Sequence, residues 1–319
     1  MQKQSNSPSD SSFRTSIGGQ ALIEGILMRG PHKQAIVVRR PDGGMEAKEE
    51  PLKLIKDRHP ILGVPFIRGT VNFLDSMVKG VQALMYSAEF YPEEEDEEPS
   101  KFEQWLEKHL GTDAFNQAII YLAVVLGVGF SVVLFILLPA LVFGLLQNVI
   151  PSFFIRNLLE GATRIVIFFI YLILCSKQQD MKRVFAYHGA EHKTIFCYER
   201  RLPLTVENVR DMPRHHPRCG TSFLFVVMVI AILIFSVVQV ENVVLQLCIK
   251  LLLLPVVVGI TYEINRWMGR HDNLLTRICT APGLWMQNFT TNEPDDSMIE
   301  CAIEAMKRVI PEEDGADAW

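Results

Sequence analysis

The pentapeptide His188-Gly189-Ala190-Glu191-His192 holds the side chains in this chain best suited to metal chemistry. On a helix, residues four apart share a face, so His188 and His192 present two imidazoles one turn apart, a chelating pair for a divalent ion, zinc foremost. Glu191 sits beside them, placed as a general base toward an activated water. The order H-x-x-E-H is the inverted form of the zinc-protease motif. A catalytic zinc needs a third protein ligand. His215, His216 and Cys219 come next along the chain, with Glu24 and Glu263 as carboxylate alternatives. A closed structural site has acceptable spacing too: His188, His192, His215 or His216, and Cys219, with Glu191 as a supporting hydrogen-bond partner. The two expectations differ in one respect, an open, water-filled position.

Other polar residues stand out against apolar surroundings. Glu24 and Arg29, between glycines, read as a substrate-handling pair or as a structural ion pair. His271 lies just past the last apolar stretch and is grouped with the same polar cluster. Arg210, Arg214 and Arg218 form a basic strip, read as topology-setting charge or as a lipid-headgroup site. His32, His59 and His109 have no partner pattern and are read as surface residues. Gly18-Gly19-Gln20 matches the release-factor tripeptide, which is read as coincidence. G-x-G-x-x-G, G-x-x-x-x-G-K-[ST] and G-x-S-x-G are all absent, and no nucleic-acid partner is expected.

The elements that must position these residues are largely apolar. The chain has 319 residues, 49% of them hydrophobic, as expected of a protein partly in lipid. The net charge of −5 hides segregation, with acids at 93–98 and 311–314 and bases across 176–220. The six cysteines are scattered and suggest no disulfide framework. Residues 1–16 are polar and show no secretory signal.

The reading along the chain is a disordered 1–16, an α+β region at 17–92, and an acidic linker with a short helix at 93–113. A first transmembrane pair follows at 114–175, then a loop at 176–221, a second pair at 222–262 and a helical tail at 263–319. Within the pairs, spans are expected at 116–138, 158–175, 222–240 and 243–262, with a broken or interfacial segment at 140–155. Four crossings are favoured over five. Lys250, inside the fourth stretch, is expected to snorkel toward the outer interface. The Lys/Arg-rich 176–220 connection belongs in the cytoplasm by the positive-inside bias, which puts both termini there as well. Paired spans show no interrupted, symmetric repeats of the secondary-transporter kind.

In the α+β region, 35–40 is a β-branched run, 41–44 (Pro-Asp-Gly-Gly) a turn, and Met45 begins a return strand. From Gly69 to about Phe90, Val71, Leu74, Val78, Val81, Leu84 and Met85 mark an amphipathic helix that packs on the sheet or lies in the membrane interface. In the tail, Trp285 is expected at headgroup depth. A last helix follows Pro294, with Ile299, Ala302, Ile303 and Met306 as its packing stripe.

Several blocks carry a family resemblance. They are Gly18-Gly19-Gln20-Ala21-Leu22-Ile23-Glu24-Gly25 with Met28-Arg29-Gly30-Pro31, then Tyr187-His188-Gly189-Ala190-Glu191-His192-Lys193-Thr194, and His216-Pro217-Arg218-Cys219-Gly220-Thr221-Ser222-Phe223. Ala281-Pro282-Gly283-Leu284-Trp285 through Glu293-Pro294-Asp295-Asp296 completes them. Together they resemble the YqhQ-like family of bacterial integral membrane proteins. The resemblance implies a multi-pass protein of the bacterial plasma membrane and a metal-dependent enzyme of unassigned reaction.

The fold class expected is therefore an α-helical integral membrane protein with about four transmembrane helices, a small α+β cytoplasmic N-terminal region and a C-terminal amphipathic helix. The first functional expectation is a zinc-dependent hydrolase at the cytoplasmic membrane face, among membrane lipids, acting on a peptide or lipid-linked substrate. The second is a non-enzymatic scaffold or regulator with a structural His/Cys metal site or a lipid-headgroup site. A transporter or channel subunit ranks third.

Overall fold

The hairpin expected around 41–44 is present. β3 (Lys33–Arg39) returns as β4 (Met45–Pro51), with Arg39 opposite Met45 and Gly43 at φ 85° taking the left-handed turn position. The structure, a computed structural model, describes residues 13–52, 60–91, 112–238, 240, 242–271 and 273–318. The expectations for 1–12, 93–110, His59 and His109 lie outside those residues. Within them the chain is mostly helical, with one four-stranded antiparallel sheet in the order β1-β2-β3-β4.

β1 (Gly18–Leu22) and β2 (Gly25–Arg29) were not foreseen. Their three glycines and single β-branched residue, Ile26, hide the strand pattern, and their two-residue loop, Ile23-Glu24, carries no glycine. Glu24 instead takes the left-handed position itself at φ 46°.

Alternation then sorts the sheet's two faces. Ile26, Met28, Ala35 and Val37 face one core, whereas Leu22, Leu27, Ile36 and Val38 face another. The first core is closed by α10 (Asp296–Val309), whose Ile299, Ala302, Ile303 and Met306 are buried as expected of its stripe. The second is closed by α1 (Ile67–Ala88). Its sheet-facing side is the small one, Gly80, Ala83 and Ser87, and a Cβ on Gly80 would stand 2.4 Å from Gln20 Oε1. The apolar residues Leu74, Val78 and Leu84 are exposed, so they do not pack on the sheet.

The chain divides into two compact units. The sheet's unit comprises 1–91, 174–226 and 258–319; the other comprises 92–173 and 227–257. In the second unit, α2 (Thr112–Val132) runs through a π-helical turn (Val133–Leu137) into α3 (Leu138–Leu145). The wider turn accommodates Pro139, which cannot donate a backbone hydrogen bond, so the helix continues past 138 instead of breaking there. α4 (Phe153–Cys175) follows after a short break.

Among the described residues, three helices are long and apolar enough to cross a membrane: Tyr121–Leu145, Phe153–Cys175 and Val244–Arg270. The last lies in α8 (Val243–Arg270). The stretch expected as a span at 222–240 is a shorter apolar helix, Gly220–Ser236.

Charge inside the second unit is denser than expected. Lys250 does not snorkel: it is 1% exposed and its Nζ sits 2.8 and 3.0 Å from the two carboxylate oxygens of Glu160. Arg164, one turn on from Glu160, pairs with the same carboxylate. Asn157 donates to the carbonyls of Phe235 and Val238 (3.1 and 3.2 Å) and accepts from Gln246 (3.2 Å). Glu160 supplies the lattice of opposite charge that a buried lysine needs in place of water.

Candidate metal centre

α5 (Gln179–Glu199) carries the pentapeptide as a continuous helix, most of its second half buried. Glycine at 189 lets another segment lie flat on it: a Cβ there would fall 2.0 Å from the Asn292 carbonyl oxygen. Asn292 N–H in turn donates to the Phe185 carbonyl at 2.8 Å. This contact places the C-terminal end of α9 (Leu274–Thr290) beside the histidines.

Both imidazoles are held from behind. His188 Nδ1 lies 2.8 Å from the Thr290 carbonyl, and His192 Nδ1 lies 2.6 Å from the Arg214 carbonyl. A carbonyl only accepts, so each Nδ1 carries a proton, which leaves Nε2 as the nitrogen of each ring that could bind a metal. His188 Nε2 reaches Cys219 Sγ at 3.2 Å. His192 Nε2 is buried and has no geometric hydrogen-bond partner among the described residues. One ring nitrogen of each histidine and the sulfur lie within 4.8 Å of one another. Cys219 immediately precedes α7 (Gly220–Ser236), and its sulfur accepts from the Thr221 hydroxyl at 3.3 Å.

Electrostatics bind the group together. Burial opposes charge on His188, Glu191 and Cys219. For Cys219 the nearby imidazoles outweigh it and hold the thiol well below the usual thiol range. For His188 the Cys219 thiolate and its hydrogen bond, then Glu191, outweigh it and push the imidazole up to about 9. Glu191 goes the other way: burial wins over the two histidines, and its carboxyl is raised. The Gly19 N–H steadies the charged form. Gly19 passes so close that a Cβ would stand 3.0 Å from the Glu191 carboxyl carbon. A cavity of about 140 Å³, bounded by Ser16, Gly18, Gly19, Glu191, His192 and Cys219, opens at this point.

The remaining candidates are placed elsewhere. His216 is buried, but its Nδ1 accepts from the Arg218 N–H (3.3 Å) and its Nε2 faces Glu199 at 3.6 Å. Gln287 grips its peptide from both sides (2.7 and 2.8 Å). Burial, opposed by the Glu199 hydrogen bond, holds this imidazole below the usual histidine range. His215 is half-buried, with its Nε2 unpartnered among the described residues, and it does not join the three-atom group. Burial, then Arg214 and His192, lower its pKa.

Glu24 and Arg29 do not pair. Glu24 receives a two-pronged hydrogen bond from Arg183 and one from the Tyr187 hydroxyl (3.3 Å), while Arg29 goes to Asp75 (3.2 Å) and Ser76 (2.9 Å). They point from opposite ends of β2, which is why proximity in sequence misleads. Glu263 is engaged by Arg68 (2.7 and 2.5 Å). His271 is exposed, stacked on Trp267 and bonded to its carbonyl (2.8 Å), away from the cluster. The basic strip is compensated residue by residue: Arg210 by Asp296 (2.6 Å), Arg214 by Glu293 (4.0 Å) and Arg218 by Glu199.

Two contributors could not be named from side-chain chemistry, the carbonyls of Thr290 and Arg214. Gly189, inside the pentapeptide, was the one available signal that a backbone approaches there.

This donor set fits a divalent metal. Two imidazole rings, each fixed by a carbonyl acceptor in the usual manner of metal-binding histidines, converge on a thiolate, and a metal would take the place of the proton that His188 Nε2 shares with Cys219.

Comparison with known proteins matches residues 64–312 to the family described as "Protein of unknown function (DUF1385)". The chain is 32% identical over 296 residues to the "Uncharacterized protein YqhQ" of Bacillus subtilis (strain 168), covering 92% of each chain. No solved structure matches.

Proposed function

The chain belongs to the DUF1385 family, and from that premise we propose that it is a metal-dependent hydrolase working at the cytoplasmic face of the bacterial plasma membrane. His188, His192 and Cys219 hold the ion, zinc by donor type, and Glu191 is the general base. A zinc held there supplies a Lewis acid that makes water acidic enough to lose a proton near neutral pH. Glu191, lining the cavity of about 140 Å³, takes that proton. Its raised carboxyl pKa suits it to return the proton to a leaving group. The Gly19 N–H keeps the carboxyl aimed. The topology takes Gly220–Ser236 as a fourth, short crossing beside the three longer helices; the Lys and Arg concentrated in 176–220 then favour the cytoplasm for the site and both termini.

One observation carries the reading: both histidines donate Nδ1–H to backbone carbonyls, which leaves Nε2 as each ring's metal-binding nitrogen, and both rings offer a ligand atom within 4.8 Å of the Cys219 sulfur. Among the described residues no fourth protein ligand joins these three, which favours an open site over a closed structural one. A second reading, Cys219 as a nucleophile paired with His188, has the 3.2 Å contact in its favour. It leaves the oriented, unpartnered His192 without a task, and we rank it below.

The test is metal content of the full-length protein purified in detergent without chelator. One ion per chain is expected. His188→Ala and Cys219→Ala should lose it, and Glu191→Gln should keep it. A wild-type protein without stoichiometric metal overturns the proposal.

A further inference from the structure

Gly18 and Gly19 have a second side. With Ser16 they also line a larger cleft of about 730 Å³. A Cβ on Gly18 would meet nothing within 4 Å, so the strand edge there is open. Four arginines from three elements converge on this cleft: Arg29 of β2, Arg68 of α1, and Arg266 and Arg270 of α8. Two are compensated, Arg29 by Asp75 (3.2 Å) and Arg68 by Glu263 (2.5 Å). Arg266 and Arg270, one turn apart, make no salt bridge among the described residues. With both acids counted, the cleft keeps an excess of two positive charges. Asn72 and Tyr262, hydrogen-bonded to each other at 3.0 Å, add neutral polar groups to the wall.

Charge at a helix end is ordinary when it only sets topology. Here two guanidiniums without a salt bridge among the described residues line an open cleft with two others from distant segments, and one strand separates that cleft from Glu191. Planar guanidinium forks match phosphate oxygens, and an excess of two charges matches a phosphomonoester dianion. Resting on the hydrolase reading above, we infer that this cleft binds the phosphomonoester of the substrate, with Arg266 and Arg270 as its principal contacts. A phosphorylated lipid headgroup and a soluble phosphate both offer this chemistry; a peptide substrate without phosphate does not.

The experiment is calorimetric titration of the full-length protein in neutral detergent. The probes are dioctanoyl phosphatidate, inorganic phosphate, and dioctanoyl phosphatidylcholine as the zwitterionic control. Saturable phosphatidate binding is expected, weakened about tenfold or more in Arg266→Gln/Arg270→Gln, since charge-assisted hydrogen bonds are lost. The Arg266→Lys/Arg270→Lys protein should bind between the two, with thermal unfolding of all three alike. Competition by inorganic phosphate supports recognition of the phosphate alone, and its absence supports a lipid headgroup. Equal phosphatidate affinity in the Gln variant overturns the inference. So does phosphatidylcholine binding as tightly, or displacement of phosphatidate by an acidic, unphosphorylated peptide. Metal content measured on the same samples separates the two proposals: a metal-free protein that binds phosphatidate sinks only the hydrolase reading.

Discussion

His188 Nε2 stands 3.2 Å from Cys219 Sγ, a contact between the middle of one helix and the residue just before another, 31 positions apart. His188 is half-buried and Cys219 buried, and each stabilises the other's charge. Such a pair is a metal's ligand set or a reactive dyad, and accessibility to reagents separates them.

Metal binding should shield the thiol. Alkylation by iodoacetamide, followed by mass spectrometry of the Cys219 peptide, is expected to be slow in protein as purified and to rise severalfold after chelation. Added glutathione reports reagent activity in the same sample. Labelling of Cys219 that ignores the chelator would favour the nucleophile reading.

Two adjacent glycines should behave differently. Alanine at 19 puts a Cβ 2.6 Å from the Leu27 carbonyl oxygen and 3.0 Å from the Glu191 carboxyl carbon, so either strand or base must shift. A stability loss of about 1–3 kcal/mol is expected, as for overpacked interiors, together with lost activity and retained metal. Gly18→Ala meets nothing and should be nearly neutral in stability. Denaturant unfolding of both variants checks the contrast.

Removing Glu160 should harm the second unit more than removing Lys250. Glu160 neutralises both Lys250 and Arg164, so Glu160→Gln leaves two buried cations without a carboxylate, whereas Lys250→Met leaves the Glu160–Arg164 pair intact. Breaking a buried pair costs about 3–5 kcal/mol, and Glu160→Gln should reach or exceed that range while Lys250→Met stays below it. Thermal unfolding in one detergent gives the order; the reverse order refutes the assignment.

Asp295 caps α10, its carboxylate accepting from the Met298 N–H (3.0 Å) and the Ser297 hydroxyl (2.7 Å). Burial raises its pKa, but these hydrogen bonds and Arg183 outweigh it, and the folded value is lowered. The stabilisation is therefore fully present above the unfolded pKa of about 3.9 and fades as pH falls through the folded one. Asp295→Ala should cost about 1 kcal/mol near neutrality, and the gap to wild type should close in acid. Asp295→Asn, which still caps, should lose little and show no such pH dependence.

The legible parts of this molecule were those where side-chain type announces local geometry. Pro41-Asp42-Gly43-Gly44 between β-branched and polar runs is a hairpin in both sequence and structure. Asp295 and Asp296 ahead of an apolar stripe mark the start of α10, and the pentapeptide lies on a helix as its spacing requires. What stayed hidden depends on backbone or on distance. β1 and β2 are glycine-rich, and Glu24 turns their hairpin without a glycine. α1 buries its small residues because the sheet needs close approach, leaving its apolar stripe outside. Which of His215, His216 and Cys219 meets the helical histidines was decided by Gln287 and Glu199, which hold His216 for other purposes.

The close approach of Asn292 to Gly189 also sets an order of events during synthesis. The carbonyl that orients His188 belongs to a residue 102 positions later, delivered by a segment that only glycine at 189 admits. A ribosome releases both histidines and Cys219 well before it releases Thr290. On the metal-dependent reading, the nascent chain carries its candidate ligand atoms before it can aim them, and capture of an ion would be a closing step of biogenesis.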